Sequence, residues 1–213
     1  MTPIRYVSAD HVFRDAYKYI MQYGYKIQNT MAIHGACFQI NDPLDNVITS
    51  RKWSIDYAKA EWLWYMSGDP SIREISKLAK IWADIADHQG HVNSNYGYQW
   101  NRTHQLNRVI SELIQNPESR RASISIYDGK ESHLYSKDTP CTYALGFNIV
   151  KNKLHMMISM RSCDLVYGFC NDQYCFSRLH QLVANALQIE VGQSTWSIQS
   201  LHVYEKHWNL KII

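Results

Sequence analysis

The sequence predicts an α+β fold: a mixed or antiparallel sheet with packed helices. Three observations carry the class. Helical and strand-like segments mix along the chain without strict βαβ alternation. Residues 143–150 and 154–160 read as two strands joined at Lys151-Asn152-Lys153, a hairpin. Long stretches carry apolar residues at helical spacing.

In chain order, residues 10–23 place Phe13, Tyr17, Ile20 and Met21 roughly on one helical face. Residues 53–67 read as a second helix. It is apolar around much of its circumference, through Ile55, Ala58, Trp62, Leu63, Tyr65 and Met66, and Gly68 ends it. Such a helix is expected deep in the protein. Residues 105–115 form a third helix, stopped by Asn116-Pro117. Residues 122–127 alternate as a strand, and the hairpin follows. Residues 172–187 are a long helix carrying Phe176, Leu179, Val183 and Leu187, and residues 199–204 are a late strand.

The chain has 213 residues, which suits one large domain. Hydrophobic residues make up 46% and charged residues 19%, so it reads as globular. A net charge of +3 argues against a nucleic-acid polymer as partner, since a small phosphorylated ligand needs only a few focused cations. Five cysteines, an odd number with no CxxC, argue against a disulfide framework or structural zinc and for a reducing compartment. No signal peptide core and no membrane-spanning run is present, so a cytoplasmic location is expected.

Thr139-Pro140-Cys141-Thr142 sits just before the hairpin. Cys141 is either a buried structural thiol or a nucleophile held by Pro140. A hairpin returns the chain to its start, so Arg161 is expected beside Cys141, where a cation lowers a thiol pKa. Arg120 and Arg121 are either a solvated surface pair or phosphate ligands. Glu61 lies among Trp62, Trp64 and Tyr65: it is either on a wet face or paired with a lysine, or a partly buried carboxylate whose raised pKa suits proton transfer. Arg161, Ser162, Asp164, Asn171 and Asp172 are polar groups in an apolar stretch. For Asn171 and Asp172 the ordinary alternative is helix N-capping. His202 and Tyr204, two apart on a strand, share a face and can hold a sugar hydroxyl or simply fill the core.

These blocks, in this order and spacing, resemble the thymidylate synthase superfamily over nearly the whole chain. They are Glu61-Trp62-Leu63-Trp64-Tyr65, Ile81-Trp82, Asn95-Tyr96-Gly97, Ser119-Arg120-Arg121, Pro140-Cys141, Arg161-Ser162-Cys163-Asp164 and Leu201-His202-Val203-Tyr204. Within it, Asn93-Ser94-Asn95-Tyr96-Gly97, Met160-Arg161-Ser162 and the stretch from Gly168 to Asp172 are similar to phage deoxycytidylate hydroxymethylases. The resemblance implies a thymidylate synthase-like fold and a sheet-mediated homodimer, with Arg120 and Arg121 donated across the interface to the partner's phosphate site. It implies that Cys141 adds to C6 of a pyrimidine, that Arg161 and Ser162 bind phosphate, and that His202 and Tyr204 hold the deoxyribose 3′-hydroxyl. Glu61 and Tyr96 are implied as catalytic groups. The one-carbon donor is implied to be 5,10-methylenetetrahydrofolate, on a surface including Trp82, Asp164, Gly168 and Glu61. No metal is implied. The family's own-subunit phosphate arginine has no clean match, and Lys26 is the candidate. Thr142 replaces the histidine that follows the nucleophile, and Ile85 replaces a second folate-site tryptophan.

Asp172, eleven residues after Arg161, stands where thymidylate synthases carry Asn. Cytosine presents an N4 amino donor and an N3 acceptor. A carboxyl group accepts from N4 and shares one proton with N3. The expected reaction is therefore one-carbon transfer to C5 of dCMP, followed by hydration to 5-hydroxymethyl-dCMP. Reduction to 5-methyl-dCMP, a dUMP substrate, and an inactive nucleotide- or RNA-binding relative are the rivals. Only nine residues follow Tyr204, whereas thymidylate synthases carry a longer tail that excludes water, and this favours hydration.

Overall fold

The computed structural model describes residues 3–128 and 137–213. Its strands are β1 (Ile4–Tyr6), β2 (Tyr25–Ile27), β3 (Thr30–Ile40), β4 (Ser123–Ser125), β5 (Thr142–Val150), β6 (Lys153–Met160), β7 (Cys163–Asp164) and β8 (Glu190–Tyr204). They form one eight-stranded sheet in the order β1-β3-β8-β6-β5-β4, with β2 added on β3 and β7 on β8. The β3–β8, β5–β6 and β4–β5 pairs are antiparallel, whereas β6 and β7 run parallel to β8. The sheet is therefore mixed, as the lack of βαβ rhythm implied.

The hairpin turn contains Lys151 at φ 50° and Asn152 at φ 58°. Two consecutive central residues with positive φ make a two-residue loop whose twist matches that of the flanking strands. This fixes the register that sets Thr142 opposite Met160.

The helices are α1 (Ala9–Tyr23), α2 (Ile55–Ser67), α3 (Ile81–Ile85), α4 (Tyr96–Asn101), α5 (Gln105–Gln115) and α6 (Cys170–Leu187). The core lies between α6 and the sheet, where Phe176, Leu179 and Val183 meet Met156, Ile158 and Trp196, all at most 2% exposed. On the opposite face of the sheet, Cys37, Met157 and Ser197 reach solvent.

Three expectations need correction. Helix α2 is not buried all round: Leu63 is 68% and Met66 43% exposed. Its buried stripe is Ala58, Glu61 and Tyr65, the spacing of a single helical face. Second, Asn171 and Asp172 are not caps. A five-residue π-helical turn, Leu165–Phe169, precedes α6, and its cap is Asp164, which accepts from Val166 N (3.0 Å) and Tyr167 N (3.3 Å). Third, the late strand is only the end of β8, and β3 was not foreseen. Gly68 does end α2, at φ 64°. Gly97 is required for another reason: a Cβ there would lie 1.5 Å from Tyr65 O, so α4 rests directly on the backbone of α2.

Candidate active site

The hairpin register brings Cys141 and Arg161 together. Arg161 N donates to Cys141 O (2.9 Å), Nε to Pro140 O (2.9 Å) and Nη2 to Thr139 O (2.5 Å). Nη2 also lies 3.8 Å from Cys141 Sγ. Arg161 is thus a clamp on the 139–141 backbone as well as a cation at the thiol. The expected thiolate does not follow. Burial pushes the Cys141 thiol up to about 11; Arg161 opposes this, while Asp172, Asp138 and Asp164 add to it. Desolvation outweighs the single cation, so the resting nucleophile is a thiol.

Behind Cys141, the Tyr96 hydroxyl accepts from Thr142 N at 3.3 Å, and burial raises this phenol well above its ordinary range. Asp172 comes from the first turn of α6 and is buried. Burial, then the charges of Glu61 and Asp164, raise its carboxyl well above the ordinary range, which favours the neutral form. Glu61 is 4% exposed, and burial lifts it to about 7, with a hydrogen bond from Tyr57 opposing. Its Oε1 accepts from Tyr57 Oη at 3.1 Å, and Tyr57 Oη accepts from Trp82 Nε1 at 2.8 Å. Glu61 Oε2 is buried with no hydrogen-bond partner.

Gly168 lies over this group. A Cβ there would sit 3.6 Å from Asp164 Cβ and 3.8 Å from Asp172 Oδ2. Those are ordinary contacts, so glycine is not forced by the fold.

The β7–β8 ladder sets Asp164 opposite His202. Burial lowers the His202 pKa, with Asp164 opposing, and its ring meets that of Tyr204 edge-on at 5.1 Å. Ser162 is half-buried in the break between β6 and β7. Asn171 is already engaged, its Oδ1 accepting from Trp53 Nε1 at 2.9 Å.

Other expected residues are not brought together within one chain. Ala122 O accepts from Phe147 N, far along β5 from Cys141. At about 3.3 Å per residue, Arg120 and Arg121 begin roughly 20 Å from the nucleophile. Arg121 pairs with Glu112 at 3.0 Å and is solvent-facing. Lys26 is exposed on β2, its Nζ 5.2 Å from the centre of the Trp208 ring. Among the described residues, no group of three or more His, Cys, Asp or Glu side chains could hold a metal. No helix among them is long and apolar enough to cross a membrane.

Sequence reading missed Tyr57, Trp53 and Arg51. Tyr57 had a signal, since it lies four residues before Glu61 on the same helical face. Arg51 donates to Val166 O at 3.1 Å and so ties the π-turn to the segment before α2.

A thiol beside a clamping arginine, with two buried carboxyls of raised pKa, is a set of groups suited to covalent and proton-transfer chemistry. Comparison with known proteins sharpens this. The thymidylate synthase family model matches residues 11–211. The chain is 33% identical over 198 residues to the deoxycytidylate 5-hydroxymethyltransferase of Enterobacteria phage T4, covering 85% of this chain and 78% of that protein. It is 30% identical over 154 residues to a thymidylate synthase of Fusobacterium nucleatum, covering 70% and 55%. The fold matches a thermostable thymidylate synthase A from Bacillus subtilis with a TM-score of 0.78, 20% identity, and 93% and 80% coverage. The chain belongs to the thymidylate synthase family. It is a folate-dependent one-carbon transferase acting on a pyrimidine nucleotide.

Proposed function

We propose that the protein converts dCMP to 5-hydroxymethyl-dCMP through a covalent adduct between Cys141 and C6 of the base. The observation that carries this reading is Asp172, a carboxyl beside Cys141 whose burial favours the neutral form. A neutral carboxyl donates its proton to cytosine N3 and accepts from the N4 amino group. It can also meet the edge of uracil, but there its proton faces O4, a far weaker base than cytosine N3. Proton transfer from Asp172 therefore favours cytosine. As sulfur adds to C6, N3 takes the Asp172 proton and the carboxylate so formed takes the proton that the thiol loses, so that no net charge builds on the ring.

Methylenetetrahydrofolate would supply the one-carbon unit, held by Trp82, Asp164, Gly168 and Glu61. Asp164 commits its carboxylate to Val166 N and Tyr167 N, so its contribution is to shape the π-turn. Once the one-carbon unit is on C5, loss of the C5 proton and release of the carrier amine leave an exocyclic methylene; Glu61 orients water toward that carbon and takes a proton as the C–O bond forms. N3 then gives up its proton as the C6–S bond breaks, which restores the aromatic ring and the Cys141 thiol. Arg161 and Ser162 take the phosphate, and His202 and Tyr204 the 3′-hydroxyl. The proposed active form is a homodimer in which each subunit's Arg120 and Arg121 complete the other's phosphate site. The uncovered sheet face supports this, as does the distance of that pair from its own Cys141.

Mass analysis of products from dCMP, dUMP and CMP with methylenetetrahydrofolate tests the reading. Gain of a hydroxymethyl group on dCMP alone is expected. A methyl gain on dCMP, or turnover of dUMP in its place, would refute it.

A further inference from the structure

Trp82, Tyr57 and Glu61 form a hydrogen-bonded chain whose direction is set by chemistry. Indole Nε1–H can only donate, and it donates to Tyr57 Oη at 2.8 Å. A phenol bonds near its ring plane, with one in-plane lone pair and one proton. Trp82 occupies the lone pair, so the Tyr57 proton points at Glu61 Oε1, 3.1 Å away.

We propose that Tyr57 is a positioning residue that fixes the proton of Glu61 on Oε2, the oxygen that faces the reaction. Oε1 is an acceptor in either state of Glu61, so the neutral acid carries its proton on Oε2. That atom is buried and has no hydrogen-bond partner of its own. The transferable proton, and the lone pair left after its loss, therefore sit on the one oxygen free to meet a water or a substrate. The inference deepens the reading above and rests on it for the role of Glu61 in the reaction.

The arrangement is built in. Tyr57 and Glu61 are four apart on α2, and Trp82 on α3 packs edge-on against Trp64 at 4.8 Å. The titratable groups facing Glu61 are Tyr57 and Tyr65 on α2 and Asp172 and Cys175 on α6. Burial raises all four, and α3 contributes only the uncharged Trp82.

The test is a pH titration of the ligand-free protein with carbon-13 in its glutamate carboxyls, followed by NMR. Glu61→Gln identifies the Glu61 resonance by its loss. In Tyr57→Phe the bond that holds the anion is gone, and the midpoint is expected to rise by about one to two pH units. The double change Tyr57→Phe with Trp82→Phe leaves no orphaned donor, and must move the midpoint as far. A midpoint unmoved in both overturns the proposal. The pH dependence of turnover in Tyr57→Phe should shift in the same direction. If the carboxyl titration moves but turnover does not, the positioning by Tyr57 stands, and the role of Glu61 in the reaction fails.

Discussion

Glu61→Gln should make the protein more stable at alkaline pH while abolishing turnover. The side chain is buried, and its pKa stands at about 7 against an ordinary 4.5. The sign follows from linkage. Between those values the folded state binds more protons than the unfolded state, so stability falls as pH rises through that window. The favourable contribution is complete below about pH 4.5 and lost above about pH 7. At about 1.4 kcal/mol per pH unit, the full difference is about 3 kcal/mol. The amide that replaces the carboxyl has no such titration. It also relieves Asp172 of a neighbouring charge that helps raise its carboxyl, a change of the same sign. Urea unfolding of both proteins at pH 5 and pH 8 is the assay. The stability of wild type relative to Glu61→Gln should drop by roughly 3 kcal/mol between the two. Parallel pH dependences would show that Glu61 is not buried as an ionisable group, and the reasoning would fail.

Asp172→Asn should move preference from dCMP toward dUMP. An amide cannot give N3 a proton, and a mispaired buried edge costs about 1–3 kcal/mol, or roughly 10-fold or more in kcat/KM; an unchanged substrate ratio would sink the assignment. Gly168→Ala should fold with stability within about 0.5 kcal/mol of wild type, since its Cβ meets only ordinary contacts, yet raise KM for the folate several-fold. Equal loss of stability and activity would instead mark a structural glycine. Alkylation of Cys141, followed by peptide mapping to separate it from exposed Cys37, should still accelerate above about pH 9 in the ligand-free protein. A rate that levels off by about pH 8 would mean a thiolate at rest.

What could be read from the sequence was what depends on near neighbours. The meeting of Cys141 and Arg161 is a property of one hairpin, and alternation plus a turn signal suffices for it. Helix α5 occupies the expected residues because Pro117 fixes its end and its apolar spacing is regular. Strand β3 escaped because its exposure does not alternate cleanly and Gly35, at φ 71°, interrupts it. The first part of β8 escaped because its inward positions include Gly192 and Ser194, which give no apolar signal. Tyr57 was within reach through its spacing from Glu61, but Trp82 joins the chain only through the packing of α3 on α2. Asp164 looked like a ligand because its use as a cap depends on a π-turn that no local pattern announces. Arg120 and Arg121 lie far along the sheet from Cys141, a separation that no local pattern reveals.

The pairing of β3 with β8 has a consequence for how the protein comes to exist. Thr30 lies opposite Tyr204, so strands from opposite ends of the chain sit side by side at the centre of the sheet. A ribosome must deliver the residues up to Tyr204 before this ladder can close in full. Until then β3 and β6 each lack the strand that separates them, and their open edges are available to other chains. Closure of so distant a pair is also slow. The nascent protein is therefore most vulnerable to aggregation before β8 is made. When β8 enters the gap, it brings His202 opposite Asp164 in the same step.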